Sequence, residues 1–452
     1  MDWDRIKEKL DQLLEQKRHS ELRGALMMLK EVDIAEYMKT LDRNDLLVVF
    51  RVLPKDMSSD VFAYLDNDER TIIIESMGDA EVGGLINEMF IDDAVDFLEE
   101  LPASVVKRVL QNADPERRKI INQFLMYPEY SAGSIMTIEY CEFVAGITTR
   151  QALDEIRKTG IDKETIYTIY VIDDKRHLIG TVPLRKLILA SEDTPILSLM
   201  DGNVISVNTL DDQETVADTV RKYDLMSIPV VDNENRLVGI ITVDDIMDVI
   251  EEENTEDFEK MSALVPSDDT YLKTSVFRLA INRLPWLLIL MVSAMFTGAI
   301  ITNFENVLSA SAIGVTLMSC VPMLMDTGGN CGSQASTLAI RGLALGEIEF
   351  RDILRVLWKE TRIAIMIGAV LAILNFLRLY YINHTSASVA AIVAISMFFT
   401  VLIAKSIGCI LPLVAKRVRL DPALMASPLI TTIVDACSLA IMFSLASKVL
   451  GI

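Results

Sequence analysis

The stretch DPALMASPLITTIVDACSL, residues 421–439, opens a hydrophobic segment that is long enough to cross a lipid bilayer. The carboxylate of Asp435 lies within it, among isoleucine, valine, alanine and leucine side chains. An ionisable side chain at membrane depth costs at least about 2.5 kcal/mol, so it usually faces a polar path rather than lipid. Two interpretations are open at this point. Asp435 hydrogen-bonds a neighbouring helix and serves packing, or it lines a path for cations.

Five hydrophobic segments, each long enough to span a core of about 30 Å, predict a multi-pass membrane domain over residues 284–452. Residues 341–362 carry five Arg or Lys and residues 416–419 carry three, which predicts that both connections are cytoplasmic. We therefore expect a protein of the inner or plasma membrane with a cytoplasmic N-terminus and an extracytoplasmic C-terminus. The predicted spans are 284–303, 312–338, 362–381, 387–414 and 422–448.

Charge separates the chain into two parts. Residues 1–262 hold 55 of the 65 acidic residues and 29 of the 43 basic ones, a net charge of −26, whereas residues 263–452 carry a net charge of +4. A strongly acidic module disfavours nucleic acid and anionic lipid as partners, because both require the opposite sign. Cations are the natural partners of the acidic part.

The N-terminal part of the chain, 1–130, is predicted to form an acidic helical domain. Apolar residues recur at three- and four-residue spacing, and the pattern at 52–70 returns at 100–118. Repeated helix pairs that bury their faces against neighbours indicate an α-solenoid, which is a binding scaffold. On one of these helices Asp92 and Asp96 share a face. From sequence alone that face is interpreted as solvated.

Residues 131–258 contain one pattern twice, as units 131–197 and 198–258. Each has a Met-containing segment, a helix, a strand and a second strand with a Leu-x-Gly turn, and Leu178 and Gly180 match Leu237 and Gly239 at a constant shift. This order resembles a pair of cystathionine-β-synthase (CBS) domains, whose units dimerise and often bind adenine nucleotides.

In CBS domains a Gly-x-x-Thr/Ser-x-x-Asp run contacts the ribose and phosphate of the nucleotide. The resemblance implies that Gly239, Thr242 and Asp245 hold ATP in the second unit, whereas the first unit has Pro183 and Lys186 at the Thr and Asp positions. Asp245 could equally be a cation ligand. Since no His, Cys or Ser is placed as a nucleophile beside a base, the chain is not expected to be an enzyme.

An acidic run at residues 244–257 follows the second unit, and a solvated linker and a site for Mg²⁺ or Ca²⁺ are both open interpretations. Next, residues 259–283 predict an amphipathic connecting helix that carries Lys273, Arg278 and Arg283.

Two polar features lie in the predicted membrane domain. Glycines and polar residues at 326–336 are expected to break the second span. Such irregular backbone persists only where it is buried in protein or lines water, although small residues also mark close helix packing. Asp326, Asn330 and Gln334 together favour a path lined by water. Lys405, in the fourth span, is near enough to the cytoplasmic end to snorkel and receives no role.

Taken together, the chain resembles the MgtE family of magnesium channels. The resemblance rests on Pro322-x-x-x-x-Asp326-Thr-Gly-Gly-Asn330, on Asp421-Pro422 through Asp435, and on the order of the domains. It implies a multidomain α-helical membrane protein: a cytosolic α-solenoid, an α/β tandem CBS pair, a connecting helix and five transmembrane helices. It also implies a homodimer in the bilayer with one pore on its two-fold axis. In that pore Asp435 of each subunit, helped by the Thr431 carbonyl, would select Mg²⁺ during uptake.

The same resemblance implies regulation by internal Mg²⁺. Ions that bridge the acidic surfaces would compact the cytosolic domains and close the pore, and repulsion at low Mg²⁺ would open it, so the acidic run becomes a predicted metal site. A secondary transporter coupled to Na⁺ or H⁺ is the alternative. An anion channel ranks below both, because a pore aspartate repels anions. The implied regulatory residues are Asp92, Asp96, Asp212, Asp224, Asp245, Glu253, Glu256, Asp257 and, at the cytoplasmic mouth, Asp421.

Overall fold

The structure, a computed structural model, describes residues 3–99, 101, 103–266, 274–304, 312–425 and 427–450. Two compact units make up the chain, Met1–Glu251 and Glu252–Ile452.

The first unit begins with short helices whose apolar residues, at helical spacing, point into one core. Helices two apart in sequence pack together, as α3 does with α5 and α7 with α9, so each helix buries its apolar face against its neighbours. The predicted stacked helical architecture is therefore confirmed. The helices are α1 Trp3–Glu15, α2 His19–Leu26, α3 Glu31–Lys39, α4 Arg43–Val52, α5 Lys55–Ala63, α6 Asn67–Ser76, α7 Asp79–Glu88, α8 Ile91–Glu99, α9 Ala103–Asn112 and α10 Pro115–Phe124.

Two three-stranded sheets follow, and they have the same topology. In each sheet the first strand is parallel to the second, and the second is antiparallel to the third. The repeated sequence pattern therefore corresponds to a repeated fold. The first half comprises β1 Tyr140–Val144, α11 Thr149–Thr159, β2 Thr165–Ile172, β3 Leu178–Pro183 and α12 Leu184–Leu189; the second comprises α13 Ile196–Leu199, β4 Val207–Asn208, α14 Gln213–Tyr223, β5 Ser227–Val231, β6 Leu237–Thr242 and α15 Val243–Met261.

The two halves exchange segments. Thr137, which precedes the first sheet, pairs with Ile240 of β6, and Asp201, which precedes the second sheet, pairs with Thr181 of β3. The glycines at the repeated turns permit this exchange. A Cβ atom at Gly239 would lie 2.6 Å from Met136 Sδ and 2.9 Å from the Thr137 carbonyl oxygen, and Gly180 packs in the same way against Met200 and Asp201.

The second unit is a bundle of long helices. Among the described residues, four helical stretches are long and apolar enough to cross a membrane, with candidate spans at Val276–Asn303, Phe350–Ile382, Ala387–Arg417 and Pro422–Val449. A further helix of 33 residues packs against two of these, so a membrane domain of long helices is confirmed, with four candidate spans among the described residues where the sequence predicted five. The helices are α16 Val276–Asn303, α17 Ala312–Ala344, α18 Ile353–Leu377, α19 Ala387–Arg417 and α20 Ser427–Leu450.

The polar stretch at residues 326–336 does not break its helix, and the expectation of irregular backbone there is wrong. Helix α17 runs through the stretch without interruption. Its glycines instead let neighbouring helices approach closely: a Cβ at Gly328 would lie 2.7 Å from both Thr400 and Val434, and Gly332 contacts Gly408 backbone to backbone. Close packing of small residues, the alternative interpretation, is what the structure shows.

The connecting segment also differs from the prediction. The acidic run at residues 244–257 is part of helix α15 and not a linker. After α15 the chain turns at residues 262–266, and Val265 N–H donates to the Asn282 carbonyl at 3.1 Å. Residues 276–283, with Arg278 and Arg283, form the start of α16 and not a separate helix. Lys273 lies outside the described residues.

Lys405 does not snorkel, as the sequence suggested, but is buried in the second unit. Its Nζ lies 3.5 Å from Oε2 of Glu360 on α18, and the two side chains are only 5% and 10% exposed. A buried ion pair of this kind loses much of its Coulomb energy to desolvation, but removing one partner leaves an uncompensated buried charge.

We therefore expect Lys405→Met and Glu360→Gln each to lower the free energy of unfolding by about 3 kcal/mol or more. The double variant should lose clearly less than the sum of the two single losses, because it leaves no unpaired charge. Thermal unfolding of the full-length protein in detergent measures the three variants. Additive losses would show that the two charges do not interact.

Candidate metal sites

Carboxylates from three separate parts of the first unit meet in what we call the acidic cluster. Helix α8 supplies two of them at its first turn, because Ile91, Ala94 and Val95 are buried and fix its orientation. The residue before β2 supplies another, and the first turns of α15, directly after β6, supply the rest. The acidic cluster consists of Asp92, Asp93, Glu164, Asp244, Asp245 and Asp248.

The pKa values of carboxylates in the acidic cluster are raised by burial and by the charges of neighbouring acids. Burial raises the pKa of Asp92 well above its usual range, and the charges of Asp245, Asp93 and Glu164 raise it further. Burial and then the Asp245 charge raise the pKa of Asp93 to about 6. The pKa of Glu164 rises to about 8, from burial first and then from the charges of Asp245 and Asp244.

Asp245 links the predicted nucleotide and metal sites. Burial raises its pKa to about 6, the hydrogen bond from Thr242 opposes that rise, and the Asp244 charge adds to it. The Thr242 hydroxyl donates to Asp245 Oδ2, and Gly239 is fixed by the segment exchange. Each of the three residues of the predicted nucleotide site therefore already contacts another residue of this chain. Asp245 also faces the acids of α8.

Dense oxygen donors with raised pKa values fit a hard divalent cation, which would stabilise the ionised form of each carboxylate. Within the described part of the chain, however, no three acidic, histidine or cysteine side chains are grouped closely enough to hold an ion directly. A cation at the acidic cluster would therefore bind through water or draw the side chains together.

The predicted pair Asp92 and Asp96 is divided by the fold. Asp92 lies in the acidic cluster, so the interpretation of this helix face as solvated is wrong for it. Asp96 is 68% exposed and lies 3.5 Å from the guanidinium of Arg70, at the margin of the acidic cluster. Its charge nevertheless raises the pKa of Asp248, after burial, Glu251 and Asp244.

Asp212 and Asp224 lie at opposite ends of α14. Asp212 caps the helix by accepting the N–H of Glu214 at 3.0 Å, and Asp224 ends it with a left-handed backbone at φ 50°. Both side chains are exposed. Eleven helical residues, about 16 Å, separate them. The structure of one chain does not bring them into a common site.

A second group of acids lies in the second unit and includes a lysine. We call it the Lys260 cluster, defined as Glu253, Glu256, Asp257, Lys260 and Asp421. Lys260 Nζ lies 2.7 Å from Glu256 Oε1 and 2.7 Å from Asp421 Oδ2. Burial raises the pKa of Asp257 to about 6, the Asp421 charge adds to that rise, and Lys260 opposes it. The structure thus brings four predicted metal residues together.

Asp435 and Thr431 lie one turn apart on α20, both partly buried. Thr431 donates its hydroxyl proton to the Pro428 carbonyl at 2.9 Å, and its methyl group packs against Gly329 of α17. The carboxylate of Asp435 makes no hydrogen bond or ion pair with any residue that the structure describes. The first interpretation of Asp435 was a packing hydrogen bond to a neighbouring helix. Among the described residues, no side chain or backbone group makes that hydrogen bond.

The sequence reasoning did not assign Asp93, Glu164 or Lys260 to a site, although Asp93 lies next to the predicted Asp92. Glu164 carries no signal, because it stands alone in a turn and reaches the acidic cluster only through the fold. Lys260 had one: it follows Glu256 by four residues, the spacing at which a glutamate and a lysine meet on a helix.

Comparison with known proteins identifies related sequences along nearly the whole chain. Family models match at residues 29–130 (MgtE intracellular N domain), 196–252 (CBS domain) and 321–445 (divalent cation transporter). A magnesium transporter MgtE from Thermus thermophilus is 35% identical over 433 residues, 95% of each chain. A magnesium transporter MgtE from Bacillus subtilis is 32% identical over 447 residues, which cover 99% of this chain and 98% of the relative.

Solved structures match the first part of the chain. The soluble part of a magnesium transporter is 33% identical, with a TM-score of 0.53, and the match covers 56% of this chain and 99% of that one. The cytosolic domain of the Mg²⁺ channel MgtE, solved in complex with ATP, is 34% identical with a TM-score of 0.52. That match covers 54% of this chain and 99% of the solved chain.

The raised pKa values predict how stability depends on pH. Unfolded Asp and Glu titrate near pH 4, whereas Asp93 and Asp245 titrate near 6 and Glu164 near 8 in the folded protein. Between about pH 4 and 8 the folded state therefore binds more protons than the unfolded state, and stability falls as the pH rises through that window. Because Mg²⁺ requires ionised carboxylates, its stabilising effect should grow through the same window.

Thermal unfolding of the full-length protein at about pH 5.5 and pH 8, with and without Mg²⁺, measures this effect. NaCl at matched ionic strength is the control, since general screening by salt should not reproduce the Mg²⁺ response. A larger Mg²⁺ effect at the lower pH would contradict the assignment.

Proposed function

Since the chain belongs to the MgtE family of magnesium transporters, we propose that it is a Mg²⁺-selective channel for uptake, gated by internal Mg²⁺. One observation carries the proposal: in the membrane unit the carboxylate of Asp435 lies partly buried on α20, without a polar partner among the described residues. A carboxylate in that setting attracts a cation and repels anions.

The proposed pore lies between two copies of the chain, on a two-fold axis. Mg²⁺ gives up its water reluctantly, so a site for it needs few protein ligands and enough width for a hydrated ion. Two aspartates, one Asp435 from each subunit, would contact such an ion through its water shell. The Thr431 carbonyl, one turn earlier on α20, would add an oxygen on the same path.

The proposed gate uses the acids outside the membrane helices. At low Mg²⁺ the carboxylates of the acidic cluster repel one another, which disfavours the close arrangement of α8 and α15. Mg²⁺ binds the close arrangement better than the separated one and so shifts the population toward it. In this proposal the close arrangement corresponds to the closed pore, and the Lys260 cluster responds to Mg²⁺ in the same way.

Three further assignments belong to this proposal. ATP would bind at the second CBS unit near Gly239, Thr242 and Asp245, since a relative's cytosolic domain was solved with ATP. The acidic N-terminal part and the basic connections at 341–362 and 416–419 would face the cytoplasm. Asp212 and Asp224, both exposed on α14, would act only where other charged surfaces approach them.

A transporter coupled to Na⁺ or H⁺ is the second candidate, and the buried pair of Lys405 and Glu360 favours it. Ionisable residues inside membrane helices often mark proton relays. Mg²⁺ flux that requires a counter-ion gradient, and not only a membrane potential, would decide for coupling.

We expect Asp435→Ala to abolish Mg²⁺ flux into liposomes that contain the purified protein and a Mg²⁺-sensitive dye, because the pore then lacks its proposed selectivity carboxylate. Cys437→Ala, two residues away on the same helix, is the matched control and should retain flux. The membrane potential should drive the flux without a Na⁺ or H⁺ gradient. Undiminished flux in the alanine variant at position 435 would refute the proposed pore.

Gating has its own test. Asp93→Asn combined with Asp245→Asn removes two charges from the acidic cluster, so the open and closed states should differ less in bound Mg²⁺. The ratio of flux at low internal Mg²⁺ to flux at high internal Mg²⁺ should therefore shrink toward one. Asp174→Asn, an exposed acid elsewhere in the first unit, should leave the ratio unchanged. An unchanged ratio in the double variant would remove the acidic cluster from the gate.

A further inference from the structure

Lys260 joins two segments that are far apart in the sequence. Its ammonium lies 2.7 Å from a carboxylate of its own helix, Glu256, and 2.7 Å from Asp421, which precedes the turn Pro422–Met425. These are the short distances of charge-assisted hydrogen bonds. The Lys260 side chain is only 21% exposed and that of Asp421 29%, so neither is a freely solvated surface charge.

Asp421 has both carboxylate oxygens engaged. Oδ1 accepts the N–H of Ala423 at 2.8 Å, which fixes the carboxylate at the start of the turn, and Oδ2 accepts Lys260. A metal ion that takes Oδ2 must therefore displace the ammonium. Glu256 is engaged at one oxygen, because its Oε1 also holds Lys260.

We propose that Lys260 is a tethered cation that competes with Mg²⁺ for Asp421 and Glu256 and so sets the Mg²⁺ concentration at which the Lys260 cluster fills. This inference rests on the proposed role of these acids as a Mg²⁺ site. The exchange is chemically simple: Mg²⁺ enters with its water shell, and the ammonium leaves. The four-carbon stem of the lysine allows its charged end to swing into solvent without movement of α15.

The charge balance gives the direction of the effect. With Lys260 in place, one positive charge faces the four carboxylates of Glu253, Glu256, Asp257 and Asp421. A neutral residue at position 260 removes both the competitor and its repulsion of the incoming ion. We expect Mg²⁺ to bind there at about two- to fivefold lower concentration, the range for one partly exposed ion pair.

The experiment compares Lys260→Gln with Lys260→Arg in the full-length protein. Mg²⁺ is titrated while hydrogen exchange is followed in peptides from residues 252–261 and 416–425. The glutamine variant should reach half-maximal protection at about two- to fivefold lower Mg²⁺ than the unaltered protein, and the arginine variant should stay close to the unaltered protein. An unchanged or higher midpoint in the glutamine variant would overturn the inference and make Lys260 a purely structural bridge.

Two further measurements keep the outcome interpretable. In a background of Asp421→Asn the glutamine substitution should shift the midpoint less, because the competition at Asp421 is already gone; an equal shift would contradict the competition. Peptides that cover the acidic cluster at residues 91–99 should keep the midpoint of the unaltered protein, which shows that the variant is folded. Failure of the proposed channel would appear instead in the flux assay of Asp435→Ala, which this binding measurement does not use.

Discussion

Repulsion among carboxylates that the fold holds close together is the constraint on which the rest of this protein depends. Hydrophobic packing of α8, β6 and α15 brings Asp92, Asp93 and Asp245 together, although each would be better solvated apart. The hydrophobic packing that stabilises the core therefore holds together carboxylates that repel one another at its edge. In the proposed gate a bound cation would relieve that repulsion, and Mg²⁺ binding would thereby be coupled to conformation.

The sequence predicted well wherever a period or a repeat carried the information. Helical spacing indicated the stacked helices, the recurring Leu-x-Gly turn indicated two equal halves, and hydropathy indicated the membrane helices. The sequence did not predict contacts between side chains that come from distant segments of the chain. Glu164 reaches the acidic cluster from a turn that has no motif, and Lys405 finds Glu360 on another helix. Neither contact leaves a trace in local sequence.

The glycine-rich stretch of α17 shows a different kind of error. Glycine lowers helix propensity, so a break at residues 326–336 was a reasonable expectation. Packing outweighed propensity, because the missing side chains let α19 and α20 approach the α17 backbone. The same close approach places Thr431 against Gly329 and sets the position of α20, and therefore of Asp435, within the bundle.

The exchange of segments between the two CBS halves has a consequence for folding. Thr137 pairs with β6 at the edge of the second sheet, and Asp201 pairs with β3 at the edge of the first. Each sheet holds three strands of its own half, but the outer edge of its third strand is paired with a segment from the other half, so we expect the two halves to unfold together. A chain released from the ribosome with only the first half complete would expose an unpaired edge at β3. A cut between the halves would therefore expose the β3 edge of one sheet and the β6 edge of the other.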